Sequence, residues 1–321
     1  MRGRPALFET VCSLVGAPVC TSINPVTGWP GIADVMTASG AVARVAMHVS
    51  LVGSHSRAAY EMRFQNPADR TPVSNPHGAI PILVGLAHVG IQPILVAVDG
   101  TSRLGRAARF SILFRNDLLN NAAADGWAEY QSNTGEQIFA FHPKLLGIFV
   151  DSILAGVFPE AQDMAQASAA SGVVQDSTDE AAARARAIGT RLIRDGKFSK
   201  DVRHAYGECC AMCGLSLGLV VGAHIFPASA PGSPDKIWNG LALCHNHHAG
   251  FDKYFIWVDP TTHDVKLRPD ILSIAETDTA AKTFTKNTRP SIHIPATTAH
   301  RPRPDMFNKR YDYYEDKYDW V

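Results

Sequence analysis

The feature that most constrains this chain is a cluster of cysteines and histidines in its second half. Residues 209–248 hold four of the six cysteines and four of the 13 histidines in a sequence of 321 residues. Cys210 and Cys213 form a C-x-x-C pair, and Cys244 and His247 form a C-x-x-H pair. Three thiolates and one imidazole with these spacings suit a tetrahedral Zn²⁺ ion. The sequence therefore predicts a closed structural zinc site.

Two alternatives compete with this interpretation. A C-x-x-C pair can act as a redox dithiol, but that motif belongs at the start of a helix in a βαβ unit, which this segment does not resemble. Cys209 could replace Cys210 as a ligand, although only with a poorer spacing. Six cysteines are too few for a secreted disulfide scaffold of this length. The clustering favours zinc.

The residues between and after the two pairs complete a wider pattern. His224 lies in the segment A-H-I-F-P, Asn239 begins N-G-L-A-L-C, and H-A-G-F-D runs from His248 to Asp252. This pattern resembles the HNH endonuclease family, in the branch often found in bacterial restriction enzymes, over roughly residues 198–258. The resemblance implies a ββα-metal core with a catalytic histidine at the end of the first strand, an asparagine in the loop and a histidine on the helix.

Phosphodiester hydrolysis explains why these residue types are needed. The attacking water must lose a proton, and a cation must neutralise charge at the scissile phosphate. A neutral histidine is a suitable base near pH 7, so we expect His224 to be the general base. The resemblance implies that Asn239 holds the loop or the ring. His248 is the candidate ligand of a catalytic Mg²⁺ or Mn²⁺ ion, and Asp252, on the same helix face, is the candidate second ligand.

One position departs from the family pattern. Many members carry a metal-binding aspartate immediately before the catalytic histidine, whereas this chain has Ala223. The missing carboxylate gives Asp252 more weight as a metal ligand, although a helix cap or an ion pair explains an aspartate there equally well. Alone, a histidine at position 224 would be more typical of a buried core residue. Because His224 occurs together with the other motif residues, a catalytic role is favoured for it.

The remainder of the sequence divides by composition. Alternating and short apolar runs predict a mixed, strand-dominated domain over residues 1–158. Residues 159–195 shift to alanine, glutamine, serine and aspartate, and residues 196–321 contain the nuclease motif. We therefore predict an α+β fold. It has an N-terminal β-rich recognition or sensor domain, an Ala-rich linker with a connecting helix, and a C-terminal ββα-metal domain with structural zinc and a tail.

The longest uncharged stretch, residues 79–98, is long enough to be tested as a membrane helix. It contains Pro81, His88, Gln92 and Pro93, and its apolar residues come in two short groups. Two buried strands fit this pattern better than a membrane span. The N-terminal residues lack the pattern of a secretory signal. We expect a chain that is cytoplasmic and has no membrane partner.

Thirty basic and thirty acidic residues cancel, so any signal for DNA binding has to be local. Residues 184–203 carry an excess of basic residues ending in Arg203, which suits either a phosphate-binding face or a solvated helix face. Arg103, Arg106 and Arg109 lie beside a glycine-bearing turn and are the best candidates in the first domain for contacts with the DNA backbone.

The order of a mixed domain, a helical linker and an HNH domain resembles modification-dependent (type IV) restriction endonucleases. The resemblance implies a metal-dependent endonuclease that cuts double-stranded, modified DNA in defence against foreign DNA. Because cutting both strands with one site per chain needs two copies, a homodimer is expected. Two alternatives stay open. One is an effector nuclease activated by a small ligand, and the other, suggested by Ala223, is a zinc-stabilised DNA-binding protein with a degenerate nuclease site.

Overall fold

The chain divides into two compact units, Met1–Ile193 and Arg194–Val321. The computed structural model describes residues 3–17, 19–24, 28–37, 40–55, 58, 60–176 and 178–321.

Strands dominate the first unit. They are β1 (Cys20–Asn24), β2 (Gly31–Met36), β3 (Val42–Leu51), β4 (Gly53–Ser54), β5 (Glu61–Gln65), β6 (Ile80–Val89), β7 (Gln92–Asp99), β8 (Ser111–Arg115), β9 (Trp127–Gln131) and β10 (Gln137–Phe141). Seven of them form one sheet in the order β1-β2-β3-β6-β7-β10-β9, and β4, β5 and β8 form a second sheet. In the large sheet β3 and β6 are parallel, and the other neighbours are antiparallel.

The central hairpin of the large sheet is buried on both faces. Along β6, Ile82 and Val84 pack into one core and Leu83 into the other, because successive side chains of a strand point to opposite faces. The uncharged stretch at 79–98 therefore forms two strands, β6 and β7, as predicted. Within the described part of the chain, no helix is long and apolar enough to cross a membrane.

Helices cover the sheet. They are α1 (Arg4–Val15), α2 (Asp117–Asp125), α3 (Leu146–Ala155), α4 (Ala161–Ser171), α5 (Val173–Asp176) and α6 (Asp179–Ala205). The segment interpreted from its composition as a linker packs into the first core, where Met164, Ala181 and Ala185 are fully buried. Alanines let helices approach closely, so the same composition that resembles a linker also suits close packing. Helix α6 begins in the first unit and ends in the second.

The second unit contains a ββα segment. The strands of the second unit are β11 (Val220–His224), β12 (Gly240–Cys244), β13 (Ile256–Val258) and β14 (Val265–Leu267). The helices that follow α6 in this unit are α7 (His245–Asp252), α8 (Pro269–Thr277), α9 (Thr279–Asn287) and α10 (Pro304–Tyr313). β11 and β12 are antiparallel, with His224 opposite Gly240, and α7 follows β12 directly. A separate core that includes Val202, Leu241 and Phe307 supports this segment. The predicted α+β class with a C-terminal ββα segment is confirmed.

Candidate metal and nuclease site

Four side chains converge where β12 meets α7. The ligand atoms of Cys210, Cys213, Cys244 and His247 lie within 4.8 Å of one another. The Sγ atoms of Cys213 and Cys244 are 3.9 Å apart, and His247 Nδ1 lies 3.7 Å from Cys210 Sγ and 3.1 Å from Cys244 Sγ. Zinc bonds of about 2.1–2.3 Å place tetrahedral ligand atoms roughly 3.7 Å apart. The donor set and its spacing fit Zn²⁺.

The C-x-x-C turn is fixed by backbone contacts. The amide of Gly214 donates to the carbonyl of Cys210 at 2.8 Å, and the amide of Ala211 donates to the carbonyl of Ala242 in β12 at 2.7 Å. Gly214 has a φ of +79°, and a Cβ at this position would lie 2.4 Å from Arg289 Nη2. The positive φ therefore favours glycine at this turn, since residues with a Cβ rarely adopt it.

The orientation of His247 is set from outside the motif. Its Nε2 lies 3.0 Å from Thr288 Oγ1, whose hydroxyl donates to the carbonyl of Phe284 at 2.8 Å. Thr288 therefore accepts a hydrogen bond from the N–H at Nε2. Nδ1 then presents its lone pair to the thiols, as a metal ligand must. Thr288 belongs to no ligand spacing, so the sequence interpretation missed it.

The three thiols differ in how readily they ionise. Burial opposes ionisation of Cys210, but the interaction with the neighbouring His247 side chain and hydrogen bonds from backbone amides outweigh it and lower the pKa of this thiol to about 6. Burial raises the pKa of Cys213 to about 12 and also raises the pKa of Cys244. The protein alone thus favours one thiolate, and a bound cation is needed to hold three.

His224 ends β11 with a side chain that is 12% exposed. Its Nε2 lies 2.9 Å from Asp235 Oδ1, and the second oxygen of Asp235 accepts from Arg194 Nε at 2.9 Å. The ring of Phe198 stacks on the imidazole, with centroids 3.7 Å apart and planes at 12°. The sequence interpretation missed Asp235, although it is the one acidic residue between His224 and Asn239.

Asn239 is fully buried, and its amide braces the loop between β11 and β12. Its Oδ1 accepts from the amide of Phe226 at 2.9 Å, while Nδ2 donates to the carbonyls of Phe226 and Pro234 at 3.1 and 3.0 Å. These contacts are with the loop and not with the His224 ring. Asn239 thereby fixes the segment that carries Asp235.

His248 and Asp252 lie one turn apart on α7, with His248 Nε2 3.2 Å from Asp252 Oδ2. Both side chains are accessible, at 36% and 57%. Among the residues that the structure describes, the Cys₃His cluster is the one group that brings three or more metal-ligating side chains together. The pair on α7 therefore offers two ligands, and water or phosphate oxygens would complete a shell around Mg²⁺ or Mn²⁺.

A buried arginine from α10 connects the strand and the helix of the ββα segment. Arg310 is 2% exposed, and it donates to the carbonyl of Ile225 at 3.1 Å and to the carbonyl of Phe251 at 2.7 Å. Its Nε donates to the hydroxyl of Tyr318 at 2.8 Å. Ile225 follows His224, and Phe251 precedes Asp252. The sequence interpretation missed Arg310, because its partners are main-chain atoms remote in sequence.

Arginines predicted to contact DNA in the first unit lie between β7 and β8. Arg103 forms a two-pronged ion pair with Glu136, and Arg109 donates to main-chain carbonyls at 3.1 and 3.4 Å. Arg106 is exposed, and its guanidinium lies 5.6 Å from the ring centre of Phe110. A cavity of about 520 Å³ borders Arg103 and Arg106.

Arg203 lies near the end of α6 in the second unit. Its Nη1 donates to Glu208 Oε2 at 3.0 Å, and its side chain is 32% exposed. Lys197 of the same helix pairs with Asp201 at 3.1 Å. Part of the basic excess in this segment is therefore neutralised by neighbouring carboxylates, which reduces its attraction for phosphates.

Comparisons with known proteins match both units. Residues 210–259 match the family model HNH endonuclease, and residues 44–150 match the family model Methylase-associated X1. No curated protein matches the chain. A solved structure described as "Modification dependent TagI restriction endonuclease" shares 13% identity, with a TM-score of 0.33 over 94% of each chain. The resemblance of the second unit to HNH endonucleases is confirmed. The chain therefore combines a region of the methylase-associated X1 family with an HNH endonuclease domain.

Proposed function

We propose that the chain is a metal-dependent endonuclease that hydrolyses phosphodiester bonds of double-stranded DNA. The observation that carries the proposal is the ββα segment in which His224 ends the first strand and His248 and Asp252 lie on the helix. When bound by His248 and Asp252, Mg²⁺ or Mn²⁺ would supply positive charge at the scissile phosphate. His224 removes a proton from the attacking water, and Asn239 holds the loop beside it.

In this proposal the Cys₃His cluster binds Zn²⁺ as a structural site. All four ligand positions are filled by protein side chains, so no position is left for substrate. The cluster joins the C-x-x-C turn to β12 and to α7, and α7 carries His248 and Asp252. A zinc ion held by these four residues would thereby stabilise the helix that carries His248 and Asp252.

We further propose that the first unit restricts cutting to modified DNA, as in a restriction enzyme acting in the cytoplasm against foreign DNA. The proposal is supported by the description of the matched family as methylase-associated, since methylation is one of the chemical modifications that DNA bases carry. The cavity beside Arg103 and Arg106 is also lined by Gln131 and Gln137, so it offers amide groups that can hydrogen-bond to a base. A homodimer on DNA would place two catalytic sites for cutting both strands.

The test uses plasmids that differ only in their modification: unmodified, N6-methyladenine, 5-methylcytosine and 5-hydroxymethylcytosine. The purified chain is incubated with each plasmid and with Mg²⁺ or Mn²⁺, beside a His224→Ala variant. The proposal expects cutting of at least one modified plasmid, no cutting of unmodified DNA, and loss of cutting in His224→Ala while zinc content is unchanged. Equal cutting of all plasmids would refute the dependence on modification.

A second candidate is a zinc-stabilised DNA-binding protein without nuclease activity. It is favoured by Ala223 and by the two-residue ligand pair on α7. It expects DNA binding with no cleavage in Mg²⁺, Mn²⁺ or Ni²⁺. The same assay separates it from the nuclease, and activity that appears only when a nucleotide ligand is added would instead support the ligand-activated effector.

A further inference from the structure

The imidazole of His224 is held by two direct contacts and by the bracing of the loop that provides one of them. Asp235 Oδ1 lies 2.9 Å from Nε2, and Phe198 stacks on the ring face. The loop that carries Asp235 is braced by the buried amide of Asn239. Within the described residues, no side chain or main-chain group hydrogen-bonds to Nδ1 of His224. The ring can neither tilt nor flip without breaking these contacts.

We propose that Asp235 is a positioning residue that keeps the proton of His224 on Nε2, so that Nδ1 is the atom that accepts the proton from water. A carboxylate has only acceptor atoms, so the shared hydrogen belongs to the imidazole. This proposal rests on the proposed nuclease function for the role of His224 as base, whereas the placement of the proton can be tested without activity.

The proton transfer follows from this placement. One O–H bond of the attacking water breaks, and an N–H bond forms at His224 Nδ1. The electron pair left on the oxygen attacks phosphorus, the bond from phosphorus to the leaving oxygen breaks, and solvent protonates that oxygen. The imidazolium that forms is stabilised by the negative charge of Asp235 across the Nε2 hydrogen bond.

Arg194 determines which way an amide side chain at position 235 would face. It donates from Nε to Asp235 Oδ2 at 2.9 Å, so each oxygen of Asp235 already has its own donor. An asparagine at position 235 has one oxygen and one NH₂ group. Because arginine can only donate, the amide oxygen has to face Arg194, and the NH₂ group has to face His224. Nε2 then becomes an acceptor, and the proton moves to Nδ1, where it blocks the base.

The structure therefore predicts an order of kcat values for a series of variants. Asp235→Asn lowers kcat by roughly 10³-fold or more, because it imposes the wrong tautomer. Asp235→Ala, which imposes no tautomer, lowers kcat by only about 10²-fold. Removing Arg194 frees the amide to turn, so Arg194→Ala combined with Asp235→Asn is more active than Asp235→Asn alone. KM changes little throughout, since Asp235 acts through His224. Asp201→Asn, which breaks a comparable ion pair with Lys197 on α6, is the matched control and leaves kcat unchanged.

The independent readout is ¹⁵N NMR of protein labelled at its histidine rings, with His224 assigned from a His224→Gln variant. The zinc-loaded wild type shows a proton on Nε2, and Asp235→Asn shows it on Nδ1. The proposal is overturned if Asp235→Asn keeps the proton on Nε2, or if it is as active as Asp235→Ala in a folded chain of unchanged melting temperature. If the wild type does not cut DNA at all, the proposed function fails, and the NMR result still decides the placement of the proton.

Discussion

Ala223 and His224 are neighbours on β11, and their side chains lie on opposite faces of the strand. Ala223 is 2% exposed and packs into the core of the second unit, whereas His224 faces Asp235. In this chain, alternation along β11 places the two side chains on opposite faces. At this position the structure provides space for a methyl group among apolar neighbours and not for a metal ligand.

Restoring the family's aspartate should therefore harm this chain. Ala223→Asp places a carboxylate in the apolar core, and we expect the free energy of unfolding of the second unit to fall by about 3 kcal/mol or more. Urea titration at neutral pH measures the loss, and Ala223→Asn controls for the added volume. An Ala223→Asp protein of normal stability that needs less Mg²⁺ for half-maximal cutting would contradict this prediction.

At the scale of elements, α9 supports the zinc site through Thr288, the residue directly after its last turn, whose hydroxyl accepts from His247 Nε2. Thr288→Val keeps the shape of the side chain and removes the acceptor. We expect zinc affinity to fall by about 10- to 100-fold, as measured by competition with a chromogenic chelator. Thr283→Val on the same helix, where the hydroxyl bonds only to the carbonyl of Thr279, is the control. Equal affinity in both variants would show that Thr288 does not orient His247.

Helix α10 acts through Arg310, which joins the carbonyls next to His224 and Asp252. Arg310→Lys retains the charge but cannot reach all three acceptors of the guanidinium. We expect the free energy of unfolding of the second unit to fall by about 3 kcal/mol, as measured by calorimetry. Arg303→Lys, at the exposed start of α10, is the control and should change it by less than about 0.5 kcal/mol. A loss no larger in Arg310→Lys than in this control would contradict the bracing role.

These elements show which parts of the site can be predicted from the sequence alone. The two zinc pairs are local, because ligand spacing is a property of a short segment, and the ββα order was implied by the resemblance of short motifs to HNH endonucleases. Thr288, Asp235 and Arg310 act through contacts that depend on how distant segments pack, and no spacing rule marks them. Asp235 was nevertheless open to prediction, since a lone carboxylate in a loop between two catalytic motif residues is a natural partner for a histidine.

At the scale of the whole molecule, the Cys₃His cluster lies in the second unit, so we expect that unit to depend on zinc and the first unit not to. The first unit has two cores of its own and no comparable cluster among its described residues. Removal of zinc by a chelator should therefore abolish one of two thermal transitions and leave the other at its temperature. Cys213→Ser should reproduce the effect, whereas Cys209→Ser, which changes the neighbour outside the cluster, should not. Loss of both transitions together would contradict the independence of the first unit.

The first unit in turn should be sensitive to acid through two buried histidines. His48 is fully buried, and its ring bonds to the carbonyl of Ile82 and to the amide of Ser74, both at 3.1 Å. The amide can only donate, so His48 has no acceptor for a second proton. Burial lowers the pKa of His48 to about 4, and burial followed by the charge of Lys144 lowers that of His142 to about 4.

The sign of the pH effect follows from these values. Between pH 6.5 and 4 the unfolded chain binds a proton at each histidine and the folded chain does not, so stability is complete above pH 6.5 and declines as the pH falls toward 4. Each histidine contributes up to about 3 kcal/mol to this decline. Urea unfolding of the first unit between pH 7 and 4.5 measures this decline.

The variants test its origin. His48→Gln can keep one donor and one acceptor without titrating, and combined with His142→Gln it should flatten the decline. His88→Gln, at an exposed position of β6, is the control and should leave the decline unchanged. A double variant that declines as steeply as the wild type would place the acid sensitivity elsewhere in the unit.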